Sequence, residues 1–93
     1  MLIFDKPLKV GKTDIYTVTV APEWLDNQEL INATAVIDDT SIATTQPATL
    51  VGNNTIVSML ITGVSEGFVT IDVNFSTANR SDCVKVGLNV VDC

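Results

Sequence analysis

The chain carries no histidine, which removes the side chain that most often serves as general acid, general base or metal ligand near neutral pH. What chemistry remains must come from carboxylates, hydroxyls and thiols. Asp38 and Asp39 are adjacent, so in an extended chain they point to opposite faces and read as a solvated turn. Asp26 and Glu29 can share a face on one helical turn, but two carboxylates without a third oxygen ligand make a poor calcium site. A surface cap is the better reading. Serines are plentiful, yet none sits in a Gly-x-Ser-x-Gly elbow and no base is present to activate one. Cys83 and Cys93 fall in what reads as one strand, separated by about 33 Å if it is straight. A disulfide needs Cα atoms within about 7 Å, so both are expected as free thiols. With neither His nor a Cys-x-x-Cys pair, no metal is expected. The expectation is a protein that binds or builds, with no catalytic residues and no cofactor.

The elements that must position any binding surface are strands. Phe68 to Ser76 alternates, with Val69, Ile71, Val73 and Phe75 on one face against Thr70, Asp72 and Asn74. Cys83 to Val90 does the same, with Val84, Val86, Leu88 and Val90 opposite Lys85, Gly87 and Asn89. The Ser/Asn/Asp-rich run between them makes the pair a hairpin with a longer loop. Upstream, Tyr16, Val18 and Val20 share a face, and Pro22 ends that strand. Ile31, Ala33, Ala35 and Ile37 share another, up to the Asp38-Asp39 turn. The run from Thr55 to Gly63 is apolar on both faces, as suits a central or interface-covered strand. Weaker strands fall near Ile42 to Thr45 and Ala48 to Val51, followed by a turn at Gly52-Asn53-Asn54. Pro22, Trp24 and Leu25 could make one helical turn. The sum is an all-β, immunoglobulin-like antiparallel sandwich of about seven strands, with Tyr16, Trp24, Leu25, Ile71, Val73, Val86 and Leu88 in its core. Trp24 could instead be a binding anchor, but plugging one end of the core is the stronger reading.

At 93 residues the chain suits one domain. Residues 13–93 form the sandwich in this reading, and residues 1–12 an extended arm outside its core. The arm is apolar and basic: Met1, Leu2, Ile3, Phe4 and Leu8 need burial, and Lys6, Lys9 and Lys12 hold three of the five positive charges. Met1 to Phe4 must therefore dock on this domain or on a partner, and the eight residues together are expected to bind a partner. The net charge of −6 argues against a nucleic-acid partner. No run is long enough for a membrane-spanning helix, and the opening apolar residues are too few for a secretory signal, so synthesis in the cytoplasm is expected. The Asn-x-Ser/Thr sites at Asn32, Asn53, Asn74 and Asn79 carry no weight without export.

The order of features from residue 13 to 91 resembles a family of short tailed-phage virion proteins, the fibre–tail adaptors. The resemblance rests on a Tyr-containing strand ending in Trp-Leu, a small-residue strand, a Gly turn before a Thr/Val strand, and a Thr-x-x-Gly-Arg-x-Asp loop before the last strand. Tyr16, Trp24, Leu25, Ile31, Gly63, Gly67, Arg80 and Asp82 occupy those places, with Asn79 where the loop glycine is usual and Thr77 one residue nearer to it than the pattern has its Thr. It implies a non-enzymatic immunoglobulin-like domain on the virion that helps attach fibres at the neck or tail. Partners would then be portal or neck, tail or fibre proteins, met by several copies in a symmetric assembly. A capsid decoration protein is an alternative. A cell-surface or ligand-binding module is a third reading, disfavoured by the few aromatic rings available for sugar stacking.

Overall fold

Alternation of apolar and polar residues makes strands, and the computed structural model, which describes residues 2–93, holds nine of them around one helical turn. In chain order they are β1 (Leu2–Ile3), β2 (Leu8–Lys9), β3 (Thr13–Thr19), α1 (Pro22–Leu25), β4 (Asn32–Ile37), β5 (Ala43–Thr45), β6 (Thr49–Val51), β7 (Ile56–Gly63), β8 (Gly67–Ser76) and β9 (Ser81–Val91). The seven strands from β3 onward are those the alternation predicts.

One sheet is ordered β1-β9-β8-β4, with β2 also on β9, and the other has β7 at its centre between β3 and the end-to-end pair β5 and β6. The chain crosses between the sheets after β2, β3, β4 and β7, which gives the immunoglobulin-like sandwich. The core is the set of inward residues: Tyr16 on β3, Val57, Met59 and Ile61 on β7, Val69, Ile71 and Val73 on β8, and Val86, Leu88 and Val90 on β9. Register fixes the faces, since Ile71 lies opposite Val86 and Val69 opposite Leu88. Leu25 is buried and Trp24 half-buried, its ring edge-on to Phe75 at 5.1 Å.

Local chemistry explains the connections. Pro22 opens α1, and Asp26 and Asn27 close it in left-handed backbone, which Asp and Asn tolerate. Gly52, Asn53 and Asn54 all have positive φ, and Thr55 returns its amide to the Val51 carbonyl. Ile31 departs from expectation: it is 67 % exposed, because the chain reaches β4 through Leu30, which takes the buried position. Asp26 and Glu29 also do not share a helical turn, since α1 ends at Leu25.

The largest departure is the N-terminal segment. Instead of an arm outside the core, it runs parallel to β9 along that strand's open edge, Leu2 beside Val86 and Leu8 beside Val90. An edge strand leaves amides and carbonyls unpaired, and here the segment supplies partners: the Phe4 amide donates to Gly87 at 2.9 Å and the Val10 amide to Val91 at 2.9 Å. Leu8, 2 % exposed, is one of the largest fully buried side chains, and Phe4 packs 4.8 Å from the Tyr16 ring. Gly63 makes this approach possible, because a Cβ there would lie 2.6 Å from the Lys9 carbonyl oxygen. Residues 2–12 thus belong to the sandwich. The expectation for Met1 lies outside the described residues.

Candidate functional site

The carboxylates and thiols stay dispersed. Asp38 accepts the Thr70 amide at 3.0 Å and Asp39 the Ser41 amide at 3.0 Å, so both carboxylates act as turn caps. Cys83 and Cys93 are free and exposed. Among the described residues no three metal-ligating side chains gather. Two open depressions lie among the described residues, one on the outer face of the β4-β8-β9 sheet between Asn32, Asn74 and Cys83 and another beside Phe68 and Val91. Three surface features are better defined.

The first is a corner built from residues distant in sequence. Thr77, 4 % exposed, accepts the Arg80 amide with its hydroxyl at 3.1 Å, while its own amide donates to the Arg80 carbonyl at 2.8 Å. This closes the β8–β9 loop and aims Arg80 at α1. The guanidinium donates to the Trp24 carbonyl at 2.7 Å and stands 3.8 Å from the Asp26 carboxylate. A helix end leaves carbonyls without partners, and Arg80 satisfies one of them. Trp24 and the pair Thr77 and Arg80, which belong to two separate features of the resemblance, therefore share one structural corner.

The second is a clasp between the N-terminal segment and β3. Lys6 pairs with Asp14 at 3.0 Å, donates to the Ile15 carbonyl at 3.3 Å and lies 4.9 Å from the Tyr16 ring centroid. Tyr16 returns its hydroxyl to the Lys6 carbonyl at 3.0 Å. The Lys6 hydrogen bond, with the Ile15 amide, holds the Asp14 carboxyl below its ordinary pKa. Burial, with the Asp14 charge nearby, raises that of Tyr16. The clasp ties a segment hydrogen-bonded to one sheet onto the edge of the other. Of the residues expected to reach a partner, Phe4, Lys6 and Leu8 are thus engaged within the domain. Leu2, Ile3, Lys9 and Lys12 remain exposed.

The third feature is the outer face of the β3-β7-β5 sheet, which sequence reasoning did not single out. Register lays its residues in rows: Thr13–Thr62–Thr44, Ile15–Leu60, Thr17–Ser58–Thr49 and Thr19–Ile56–Val51. No charged side chain stands in these rows, although the chain has 16 in all, five basic and eleven acidic. Ile15 is 55 % and Leu60 44 % exposed, side by side across the strands. The Thr13 and Thr62 hydroxyls bond each other at 2.7 Å. Asp14, the one charge on β3, falls on the other side of the pleat and is taken up by Lys6. The sequence signal was the uncharged alternate set Thr13, Ile15, Thr17 and Thr19, set beside a neighbour apolar on both faces.

No family model matches the chain, and no curated protein matches it. Solved structures do. Domains 4 and 5 of the S-layer protein SbsC superpose with a TM-score of 0.65 at 24 % identity, over 97 % of this chain and 41 % of that one. A longer piece, rSbsC, gives 0.60 at 22 % identity over 92 % of this chain and 11 % of that one. SbsC domains 5–6 give 0.60 at 22 % identity over 91 % of this chain and 38 % of that one. The chain spans less than half of each of these structures. At these identities the likeness is one of fold, and it places the chain among immunoglobulin-like β-sandwiches.

Proposed function

We propose that this chain is a non-enzymatic building block of a tailed-phage virion, an adaptor at the neck or tail that helps attach fibres. The observation that carries the reading is the corner at Trp24 and Arg80. The residues on which the resemblance to fibre–tail adaptors rests are spread over the chain, yet Trp24, Thr77 and Arg80 form one hydrogen-bonded unit that fixes the β8–β9 loop. A pattern that also makes a structural unit is less open to coincidence than a string of letters.

A second reading, a module of a cell-surface layer, is favoured by the fold likeness to SbsC. Quantitative mass spectrometry on purified particles and on envelope fractions of producing cells separates the two. The adaptor reading expects the chain in particles at a fixed low stoichiometry relative to the major capsid protein. Recovery only with envelopes would overturn it, and near-equimolar recovery with capsid protein would replace it by the decoration reading.

A further inference from the structure

We propose that residues 2–9 exchange between copies of this chain, the segment of one molecule docking on β9 of a second while that molecule returns its own. The proposal goes beyond the adaptor reading and is tested on the purified chain alone, so the two can fail separately.

The contacts are the first argument. The groups that hold the segment lie on the far side of the turn that joins it to β3. Leu2 and Leu8 lie beside Val86 and Val90, Phe4 meets the Tyr16 ring, and Lys6 is held by Asp14 and Ile15. A second copy presents the same set, so exchange reproduces each of these contacts between molecules. What covers either β9 edge is then a segment whose fit the fold already shows.

The hinge is the second. Lys9 to Lys12 form a β-turn closed by the Lys12 amide donating to the Lys9 carbonyl at 3.1 Å, with Gly11 in left-handed backbone at φ 78°. A Cβ on Gly11 would meet nothing within 4 Å, so the turn stands clear of packed side chains and straightening it displaces none. Straightening gives up that bond and the one from the Gly11 amide to the Gly63 carbonyl at 2.9 Å. The opened copy bares Leu8 and the unpaired edge of β9 together, and these are each other's complement. Strands of two residues at an edge open without the rest unfolding, so exchange has a route from the folded state.

Concentration decides which form prevails. Closed and exchanged chains share these contacts, so the balance is set by the effective concentration of a segment at its own β9, roughly millimolar for a short flexible tether. Dilute chains are therefore closed, and copies crowded side by side in an assembly exchange.

Sedimentation equilibrium on the full chain, from about 10 µM to about 1 mM, reaches that concentration. The expected result is a monomer at the low end and a reversible dimer at the high end. Gly11→Val strains the turn but not the straight hinge, since a β-branched residue rarely takes a positive φ, and should tighten the dimer at least about tenfold. Register supplies a test with the native hinge. On a Cys83→Ser, Cys93→Ser background, a copy carrying Lys9→Cys is concentrated with a copy carrying Val91→Cys. The two positions are partners in the parallel ladder, about 4.8 Å apart and within disulfide reach. Oxidation should join the two copies, whereas Lys85→Cys in place of Val91→Cys should not couple. A monomer throughout the range for both the native and the Gly11→Val chain, or a dimer in which Val91→Cys couples no better than Lys85→Cys, would overturn the proposal.

Discussion

Leu8→Ala distinguishes a segment built into the sandwich from an arm that only rests near it. Leu8 is 2 % exposed and sits between the sheets at the open side of β9. Truncating a buried leucine to alanine costs about 2 to 5 kcal/mol, rising with the cavity left behind. Here the low end applies, for a reason the topology supplies. β2 has two residues and lies at an edge, so the segment can detach without the rest unfolding, and the loss cannot exceed its docking free energy. Burying Leu8 and parts of Phe4 and Val10 gives about 1.5 to 3 kcal/mol per fully buried side chain. Ordering each backbone residue takes back about 1 to 2 kcal/mol, which the edge hydrogen bonds and the Lys6 clasp partly offset. The expected loss is therefore about 2 kcal/mol. With a urea slope of about 1 kcal/mol/M, the midpoint falls by about 2 M. Hydrogen exchange locates the effect: the Phe4 and Val10 amides, bonded to Gly87 and Val91, should exchange faster in the variant while the Ile71 amide in mid-sheet stays protected. A midpoint within error of the parent, with those amides already unprotected there, would refute the reasoning and return the segment to a free arm.

Other consequences are read by simpler assays. Ile71→Ala and Val86→Ala, facing each other in the core, should each cost about 1 to 3 kcal/mol by urea denaturation. Lys85→Ala should change little, since its pair with Asp72 is exposed at 3.7 Å; a costly Lys85 would invert the faces of β9. Asp14 should titrate below an ordinary aspartate by NMR, and Lys6→Ala should move it back up. Because its folded pKa is depressed, any stability it contributes is present above the unfolded value and fades as pH falls through the folded one. A thiol reagent should count two reactive cysteines per native chain, where a count of none would mean that Cys83 and Cys93 are bonded or covered.

The strands from β3 onward were legible because their information is local. Val69, Ile71, Val73 and Phe75 alternate strictly, and the Gly52-Asn53-Asn54 turn announces itself by residue type. The N-terminal segment was not legible, because its strands are two residues each, split by Pro7, and pair in parallel with a strand some eighty residues away. Nothing in Leu8 itself names Val90, and Lys6 gives no sign of Asp14. The small residue that admits the segment, Gly63, read as part of a turn. Trp24 and Arg80 were visible in two separate features of the sequence, but their meeting depends on Arg80 reaching the end of α1. The uncharged face emerges only once register sets β3, β7, β5 and β6 side by side.

The most direct test of the account is the position of the chain on a particle. Cys93 is exposed just beyond β9, where a label disturbs no strand pairing. With Cys83 replaced by Ser and Cys93 carrying a gold cluster, particles assembled with the labelled chain can be imaged by electron microscopy. The account predicts gold confined to the neck or tail of each particle. Gold spread over the shell, or particles without gold while the labelled chain stays in solution, would contradict it.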